Sequence, residues 1–141
     1  MSRPAVMPIG LDLARTAKTC GRAFDDALAA AGGSAPVWQI LISIKTRELG
    51  TQRALAAAVG IQGATLTHHL NAMESGGLVT RRRDPANRRV HLVELTEAGE
   101  ELFHKLRGAA VAFDQRLRAG LSDGETAELA RLLGKLRDNV G

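Results

Sequence analysis

Along most of the chain, apolar residues recur every three or four positions, the spacing of helices that bury one face. The first such stretch runs from Ile9 to about Ala31 and ends at two glycines. Its apolar stripe comprises Leu13, Ala17, Cys20, Phe24 and Leu28. A second helix is predicted from Pro36, which suits a first helical turn, and its apolar residues between Val37 and Ile44 lie on more than one face. We therefore expect the second helix at the buried centre of the fold.

Two short helices follow, with little chain between them. Thr51 suits the N-cap of a third helix, in which Leu55 and Val59 face inward, and Gly60 would end it in the left-handed conformation. A fourth helix is predicted to begin just after Gln62 and to end at a pair of glycines. Its inward stripe comprises Leu66, Leu70 and Met73. Two helices joined by so short a turn indicate a helix-turn-helix.

Beyond the fourth helix the pattern changes to the alternation of apolar and polar residues that is typical of strands. Strands are predicted from Leu78 to Arg82 and from Arg89 to Leu95, with a turn at Asp84–Asn87 between them. A hairpin in this position, directly after a helix-turn-helix, is a wing.

Two further helices complete the pattern. Thr96 can cap the fifth, and Ser122 with Glu125 forms a capping box at the start of the sixth. The fifth stripe comprises Leu102, Leu106, Ala110, Phe113 and Leu117, and the sixth Leu129, Leu132, Leu133, Leu136 and Val140. The predicted fold is mainly α with a small β-wing, as a single domain over residues 1–141. Its winged helix-turn-helix core, at about 36–96, is flanked by dimerisation helices at about 9–31 and 97–140.

Composition limits the class of protein. A chain of 141 residues that is 45% hydrophobic can bury one core. It has no apolar run near 18 residues and no recognisable signal peptide, so we expect a cytoplasmic protein without a membrane partner. The single cysteine, Cys20, permits no internal disulfide. Aromatic residues make up only 3%, which argues against a stacking platform for single-stranded nucleic acid.

Positive charge is concentrated in one short segment, Arg81–His91. Its cations are Arg81, Arg82, Arg83, Arg88 and Arg89, against one aspartate. This segment therefore carries +4, which equals the formal charge of the whole chain, and the remaining 14 basic and 14 acidic side chains cancel. An arginine-rich turn is often only solvated surface. Beside a helix-turn-helix, however, such a confined positive field predicts a polyanion as partner, namely double-stranded DNA.

The fourth helix would read the major groove, as the second helix of a helix-turn-helix does. The candidate contacts, most of them opposite the inward stripe, are Gln62, Ala64, Thr65, Thr67, His68 and Asn71. Threonines can contact phosphate or a thymine methyl, His68 can donate to a purine acceptor, and Asn71 can pair with adenine. The simpler interpretations are that Thr65 satisfies the helix start and that Asn71 is only solvated surface.

The arginines of the wing fall into two groups. Arg88 and Arg89 lie at the predicted tip, where a guanidinium can enter the narrow minor groove. The three arginines of the first strand, at the base of the wing, would meet phosphates and supply affinity without sequence information. Asp84 is expected to form the turn, or alternatively to orient an arginine through a bidentate pair.

These motifs resemble those of MarR-family winged-helix transcription regulators. The segment Asp84–Arg89, followed by Val90–Gly99 with its Leu-Thr-Glu-Ala-Gly, is similar to the family's Asp-x-x-Asp-Arg-Arg wing and Leu-Thr-x-x-Gly. Thr65–Glu74 and Gly77 match the recognition helix and its end. The resemblance implies an obligate homodimer joined by its first and last helices, which binds a palindromic operator and represses until a ligand or oxidant releases it. It also implies that Arg89 is the minor-groove arginine.

Two positions depart from the family pattern. Asn87 stands where an aspartate usually braces the wing arginine, so the brace would be a neutral hydrogen bond. His68 replaces a common arginine, which leaves the operator sequence open and would make binding depend on pH near neutrality.

Several effectors are compatible with the sequence. A small lipophilic or anionic ligand would bind between the dimerising helices and the winged core, with Arg15, Phe24 and Trp38 as candidate lining, although Trp38 at helical spacing also suits plain core. Redox sensing through Cys20 is less favoured, because related sensors hold their thiolate with tyrosines, which this chain lacks, and because its stripe position predicts burial.

No metal site or cofactor is expected. His68 and His69 point about 100 degrees apart on a helix and cannot chelate together, while His91 and His104 have no partner motif nearby.

The sequence distinguishes three functional classes. A dimeric DNA-binding repressor accounts for the wing arginines, with recognition helices about 34 Å apart in the dimer. A winged-helix protein-interaction module would keep the apolar stripes but would not need arginines at the wing tip. An enzyme is not expected, since no nucleophile–base pair, carboxylate dyad or phosphate loop is present.

Overall fold

The computed structural model describes residues 6–47 and 51–141. Six helices and two strands follow one another along the chain. They are α1 (Ile9–Ala30), α2 (Ala35–Arg47), α3 (Gln52–Val59), α4 (Gly63–Ser75), β1 (Val79–Arg83), β2 (His91–Leu95), α5 (Glu97–Leu117) and α6 (Asp123–Val140). The predicted fold class is confirmed: the chain is mainly helical with a small antiparallel wing.

The core of the fold lies around α2, as expected. Ile40 and Leu41 of α2 are fully buried, and residues from the two helices of the helix-turn-helix and from the sheet pack around them. The buried side chains of α3, α4 and the strands are Leu55, Leu66, Leu70, Met73, Val79 and Val93. Leu28 at the end of α1 and Leu106 of α5 close this core on the other side. Burial of these apolar surfaces holds the helix-turn-helix and the wing together.

The helix ends follow the local chemistry of the sequence. The Thr51 hydroxyl accepts a hydrogen bond from the backbone N of Ala54 at 3.1 Å and so caps α3, which ends at Gly60 with φ of 78°. The predicted capping box is present at the start of α6, where Ser122 and Glu125 exchange side-chain to backbone hydrogen bonds.

The wing is a two-stranded hairpin with Val79 opposite Leu95 and Arg83 opposite His91. Thr51 adds a short bridge to Leu92, which ties the start of α3 to the sheet. Both strands are offset from their predicted bounds, and β2 starts two residues later than expected. The connection is therefore the seven-residue loop 84–90 rather than a four-residue turn.

The stripe predicted for α5 is shifted. Phe103, absent from that stripe, is buried and stacks on Trp38 with ring centroids 5.8 Å apart, whereas Leu102 is only half-buried and Leu117 is exposed. The α5 helix thus turns a slightly different face to the core than the periodicity indicates. On that face Phe103 gains an aromatic contact with Trp38 of α2.

The outer helices leave apolar side chains exposed. No residue of α6 is buried, and α1 buries only Leu28. Cys20 is half-buried, not fully buried as its stripe position predicted. Among the described residues, no single helix has the length and apolar character of a membrane span; α1 and α2 together satisfy that test only as a pair bent by 77°.

Candidate nucleic-acid interface

The outward face of α4 has the polar character that its sequence predicts. Thr65, His68 and Asn71 are exposed, as are Gln62 at the N-cap and Ala64. Thr67 is half-buried, and its hydroxyl donates to the carbonyl oxygen of Gly63 at 2.9 Å. That bond directs the Thr67 hydroxyl back to its own helix, whereas Gln62, Thr65 and His68 are exposed to a partner.

Arg81 does not point outward from the wing base, as its position in the sequence suggested. Its Nη2 donates to Glu74 Oε1 at 3.0 Å and to Asn71 Oδ1 at 2.6 Å, so it spans from β1 to α4. The Arg81 side chain is only 18% exposed. Hydrogen bonding by Arg81, with its charge, lowers the pKa of Glu74 below the usual value. In the structure Arg81 thus joins the recognition helix to the wing, and its phosphate contact stays a prediction.

The two other arginines of β1 also have partners within the wing. Arg82 donates to Glu94 Oε1 through Nε at 3.1 Å and Nη2 at 2.8 Å, across the two strands. Arg83 donates to the backbone carbonyl oxygen of Arg88 at 3.3 Å. Both side chains are largely exposed, so their charges remain accessible at the wing surface.

The loop 84–90 is shaped by two side chains that accept hydrogen bonds from nearby backbone. Asp84 Oδ1 accepts from the N–H of Ala86 at 2.9 Å, which is the turn-forming role expected of it. Asn87 Oδ1 accepts from the N–H of Arg89 at 3.2 Å. The expected neutral hydrogen bond of Asn87 thus reaches the backbone of the wing arginine rather than its guanidinium.

Arg88 and Arg89 are exposed in this loop, at the wing tip as predicted. Within the described residues neither guanidinium has an ion-pair partner, in contrast to Arg81 and Arg82. An unpaired guanidinium needs no exchange of partners before it binds a phosphate or a groove.

A cleft of about 500 Å³ joins the wing to the start of α3. It is lined by Thr51, Gln52, Arg53, Arg89, Val90 and His91. Sequence reasoning missed Gln52 and Arg53, which carry no motif and are brought to the wing only by the Thr51–Leu92 bridge. Two arginines therefore face one cleft from elements 36 residues apart in sequence.

A second cavity, of about 800 Å³, lies between α2 and α5. Of the three predicted lining residues it contains Trp38 alone. Phe24 packs instead on Phe113, with centroids 5.1 Å apart, and Arg15 lies on the exposed face of α1. Neither residue lines this cavity, so their role in binding a ligand stays a prediction.

The cavity combines an aromatic wall with charged groups at its edge. Trp38 and Phe103 form the wall, and Lys45 lies 6.0 Å from the Phe103 ring centroid while pairing with Glu100 at 2.7 Å. Further along α5, Arg118 pairs with Asp114 at 3.0 Å. Arg107 and His104 also line the space. Such an apolar surface with convergent polar groups suits a small organic ligand.

Comparison with known proteins agrees with this architecture. The MarR family model matches residues 34–91. The uncharacterized HTH-type transcriptional regulator YdgJ of Bacillus subtilis (strain 168) is 34% identical over 90 residues, which are 64% of this chain and 55% of that protein. The matched region thus spans about half the length of this curated relative.

Several solved structures share the fold over nearly the whole chain. A MarR-family transcriptional regulator from Rhodococcus sp. RHA1 has a TM-score of 0.77 at 26% identity, with 91% of each chain covered. A mutant MarR from E. coli, complexed with operator DNA, has a TM-score of 0.81 at 25% identity, with 92% of this chain and 94% of that chain covered. CouR from Rhodococcus jostii RHA1, bound to p-coumaroyl-CoA, has a TM-score of 0.77 at 26% identity, covering 96% and 95%.

Proposed function

We propose that this chain, of which residues 34–91 match the MarR family model, is a transcriptional regulator that binds double-stranded DNA in a sequence-specific manner. The observation that carries the proposal is that the exposed polar face of α4 occurs together with two exposed wing-tip arginines, Arg88 and Arg89, which have no ion pair among the described residues. Short polar side chains suit base edges in the major groove, and free guanidinium groups suit the minor groove or phosphates. A similar protein, a mutant MarR from E. coli, has been solved in complex with operator DNA, which supports DNA as the partner.

We propose further that the protein acts as a homodimer on a palindromic operator and represses transcription. The exposed apolar side chains of α1 and α6 support this, since one chain leaves them in contact with water. A two-fold dimer would present its two α4 helices to successive major grooves about 34 Å apart.

The cavity between α2 and α5 is the proposed effector site. Its aromatic wall and the cations Lys45 and Arg107 suit a small apolar or anionic molecule. CouR, similar to this chain, has been observed bound to p-coumaroyl-CoA. A ligand in this cavity would contact both α2 and α5. Because α2 directly precedes the helix-turn-helix in the chain, a ligand that favours one arrangement of α2 can alter DNA binding.

Selection of bound duplexes from a random DNA pool at two salt concentrations tests the DNA-binding proposal. We expect a palindromic motif that persists at the higher salt, because non-specific phosphate binding weakens more steeply with salt. An Arg88→Ala/Arg89→Ala variant is the matched control, and we expect it to enrich the motif weakly. Enrichment of no sequence by the wild-type protein would contradict the proposal and favour a protein-interaction module.

A further inference from the structure

Arg81 connects three polar groups that belong to different elements. From β1, its Nη2 donates to Asn71 Oδ1 at 2.6 Å and to Glu74 Oε1 at 3.0 Å, both on α4. The backbone N–H of Arg81 donates to the other carboxylate oxygen of Glu74 at 3.2 Å. The Glu74 carboxylate thus holds Arg81 at two points and keeps its guanidinium beside Asn71.

The contact with Arg81 determines which atom of the Asn71 amide faces which way. A guanidinium has five N–H donors and no acceptor, so the amide atom beside it must be the oxygen. The amide nitrogen is bonded to the same carbon and therefore points away from Arg81. Because Asn71 is exposed, that NH2 group is available to a partner as a pair of donors.

This orientation changes the base that Asn71 can read. Bidentate pairing with adenine needs the amide oxygen at N6 and the amide nitrogen at N7, with both atoms at the base edge. Here the oxygen is directed at Arg81. Guanine offers two acceptors, N7 and O6, on its major-groove edge, and these complement the two hydrogens of the NH2 group.

We propose that Arg81 is a positioning residue that makes Asn71 a hydrogen-bond donor, so that Asn71 selects guanine rather than adenine in the operator. The inference rests on the proposed DNA-binding function and corrects the adenine pairing that the sequence suggested. It also assigns Arg81 an effect on sequence preference without a phosphate contact, since its charge is already paired with Glu74.

The operator position to be tested is the half-site position at which the Asn71→Ala variant loses the base preference of the wild type. At that position, the affinity of the full-length protein is measured for four duplexes, one for each base pair. For the wild type we expect guanine to be favoured over adenine on the order of fivefold, the effect of one net hydrogen bond. Asn71→Asp keeps an acceptor for Arg81 but loses the donor, so the preference should move to cytosine, whose N4 amine donates.

Arg81→Met removes the hydrogen bond that orients the Asn71 amide. We expect this variant to prefer guanine over adenine by about twofold or less, because the amide can then turn either atom to the base. The dependence of binding on salt should stay that of the wild type, because no phosphate contact is lost. Arg131→Met is the matched control: Arg131 is also paired with a glutamate, Glu128, but lies on α6. It should keep both the base preference and the salt dependence.

Three results separate the possibilities. If Arg81→Met kept the guanine preference and lowered the salt slope by about one, Arg81 would be a phosphate contact and the inference would be wrong. Wild-type preference for adenine at the Asn71-dependent position would also overturn it. If the wild type selected no motif, the proposed function itself would fail. Should Arg81→Met lose helical signal in circular dichroism, Asn71→Asp decides alone, since Asn71 is exposed.

Discussion

At the scale of single residues, the five wing arginines are equal in charge but not in availability. Arg81 and Arg82 are held in ion pairs with Glu74 and Glu94. Arg88 and Arg89 have no ion-pair partner among the described residues. A paired guanidinium must exchange one partner for another on binding, whereas a free one gains a partner. We therefore expect the tip arginines to contribute most to sequence-specific DNA binding.

Replacement of Arg89 tests that expectation. Arg89→Ala should weaken binding to the selected operator by about 1–3 kcal/mol and relax the sequence preference. Arg83→Ala is the comparison, since Arg83 is exposed at the wing and, among the described residues, bonds to a backbone carbonyl and to no carboxylate. It should lower affinity for operator and random duplexes alike and reduce the salt slope by about one. Fluorescence anisotropy titrations measure both, and an unchanged operator titration for Arg89→Ala would rule out the minor-groove role.

The Glu74–Arg81 pair predicts a pH effect on stability. Hydrogen bonding to Arg81 lowers the pKa of Glu74 in the folded protein below its usual 4.5. Its contribution to stability is then complete above the pKa of the unfolded chain and is lost as pH falls through the lower folded value. Urea unfolding between about pH 5 and pH 3 should show a steeper loss for the wild type than for Glu74→Gln.

The matched control for that experiment is Glu101→Gln. Glu101 is exposed on α5 and has no salt bridge within the described residues. Its curve should follow the wild type. Parallel curves for the wild type and Glu74→Gln would mean that the ion pair contributes nothing measurable, as is found for many exposed pairs.

At the scale of elements, one residue, Thr96, connects the wing to α5 through its hydrogen bonds. The Thr96 hydroxyl accepts from the N–H of Gly99 at 3.1 Å, which caps α5, and donates to the carbonyl oxygen of Gly77. The backbone N–H of Thr96 donates to the Leu78 carbonyl oxygen at 3.0 Å. Gly99 permits this close approach, because a Cβ there would lie 2.1 Å from the same oxygen. The end of α4, the start of β1 and the start of α5 are thus fixed to one another.

Removal of the Thr96 hydroxyl should therefore destabilise the protein. Thr96→Val keeps the branched shape but loses both side-chain hydrogen bonds, and we expect unfolding to cost about 1–2 kcal/mol less than in the wild type. Thr96→Ser retains the hydroxyl and should stay near the wild type. Chemical unfolding monitored by circular dichroism measures the difference. Equal midpoints for the valine and serine variants would show that the cap is dispensable.

At the scale of the whole molecule, the outer helices α1 and α6 have apolar side chains that a single chain leaves exposed. Along α6, Leu129 is 48% and Leu132 43% exposed, and Ile9 of α1 is 65% exposed. Leu121, just before α6, lines one surface concavity with Leu129 and Leu132. Contiguous apolar surface of this kind marks an interface. We expect a second copy to cover it.

Light scattering coupled to size-exclusion chromatography tests the assembly. The wild type should elute with twice the mass of one chain, and Leu129→Asp/Leu132→Asp should elute as a monomer, because two buried charges would oppose association. Ala86→Asp adds a negative charge at the wing tip, away from these helices, and should remain dimeric. A stable wild-type monomer at micromolar concentration would contradict the proposed dimer.

Sequence and structure agree where an interaction joins neighbours in the chain. The Thr51 cap, the left-handed Gly60 and the Ser122–Glu125 box each involve residues within four positions of one another, so their chemistry is visible in the sequence. The inward stripe of α4 follows from helical periodicity in the same way. Most helix bounds and the helix-turn-helix were predictable on these grounds, and the alternation of apolar and polar residues identified the wing.

Contacts between residues that are distant in sequence were decided by the tertiary structure alone. Phe103 is core because Trp38 stacks on it, and Phe24 misses the cavity because it meets Phe113. The partners of Arg81 lie seven and ten residues away, across an element boundary, so its paired state cannot be read from an arginine-rich segment. The sequence by itself determined the order of elements and the location of the positive charge, through local hydrogen bonding and periodicity. Packing of those elements decided which of the charges form ion pairs among the described residues, because pairing depends on distances through space.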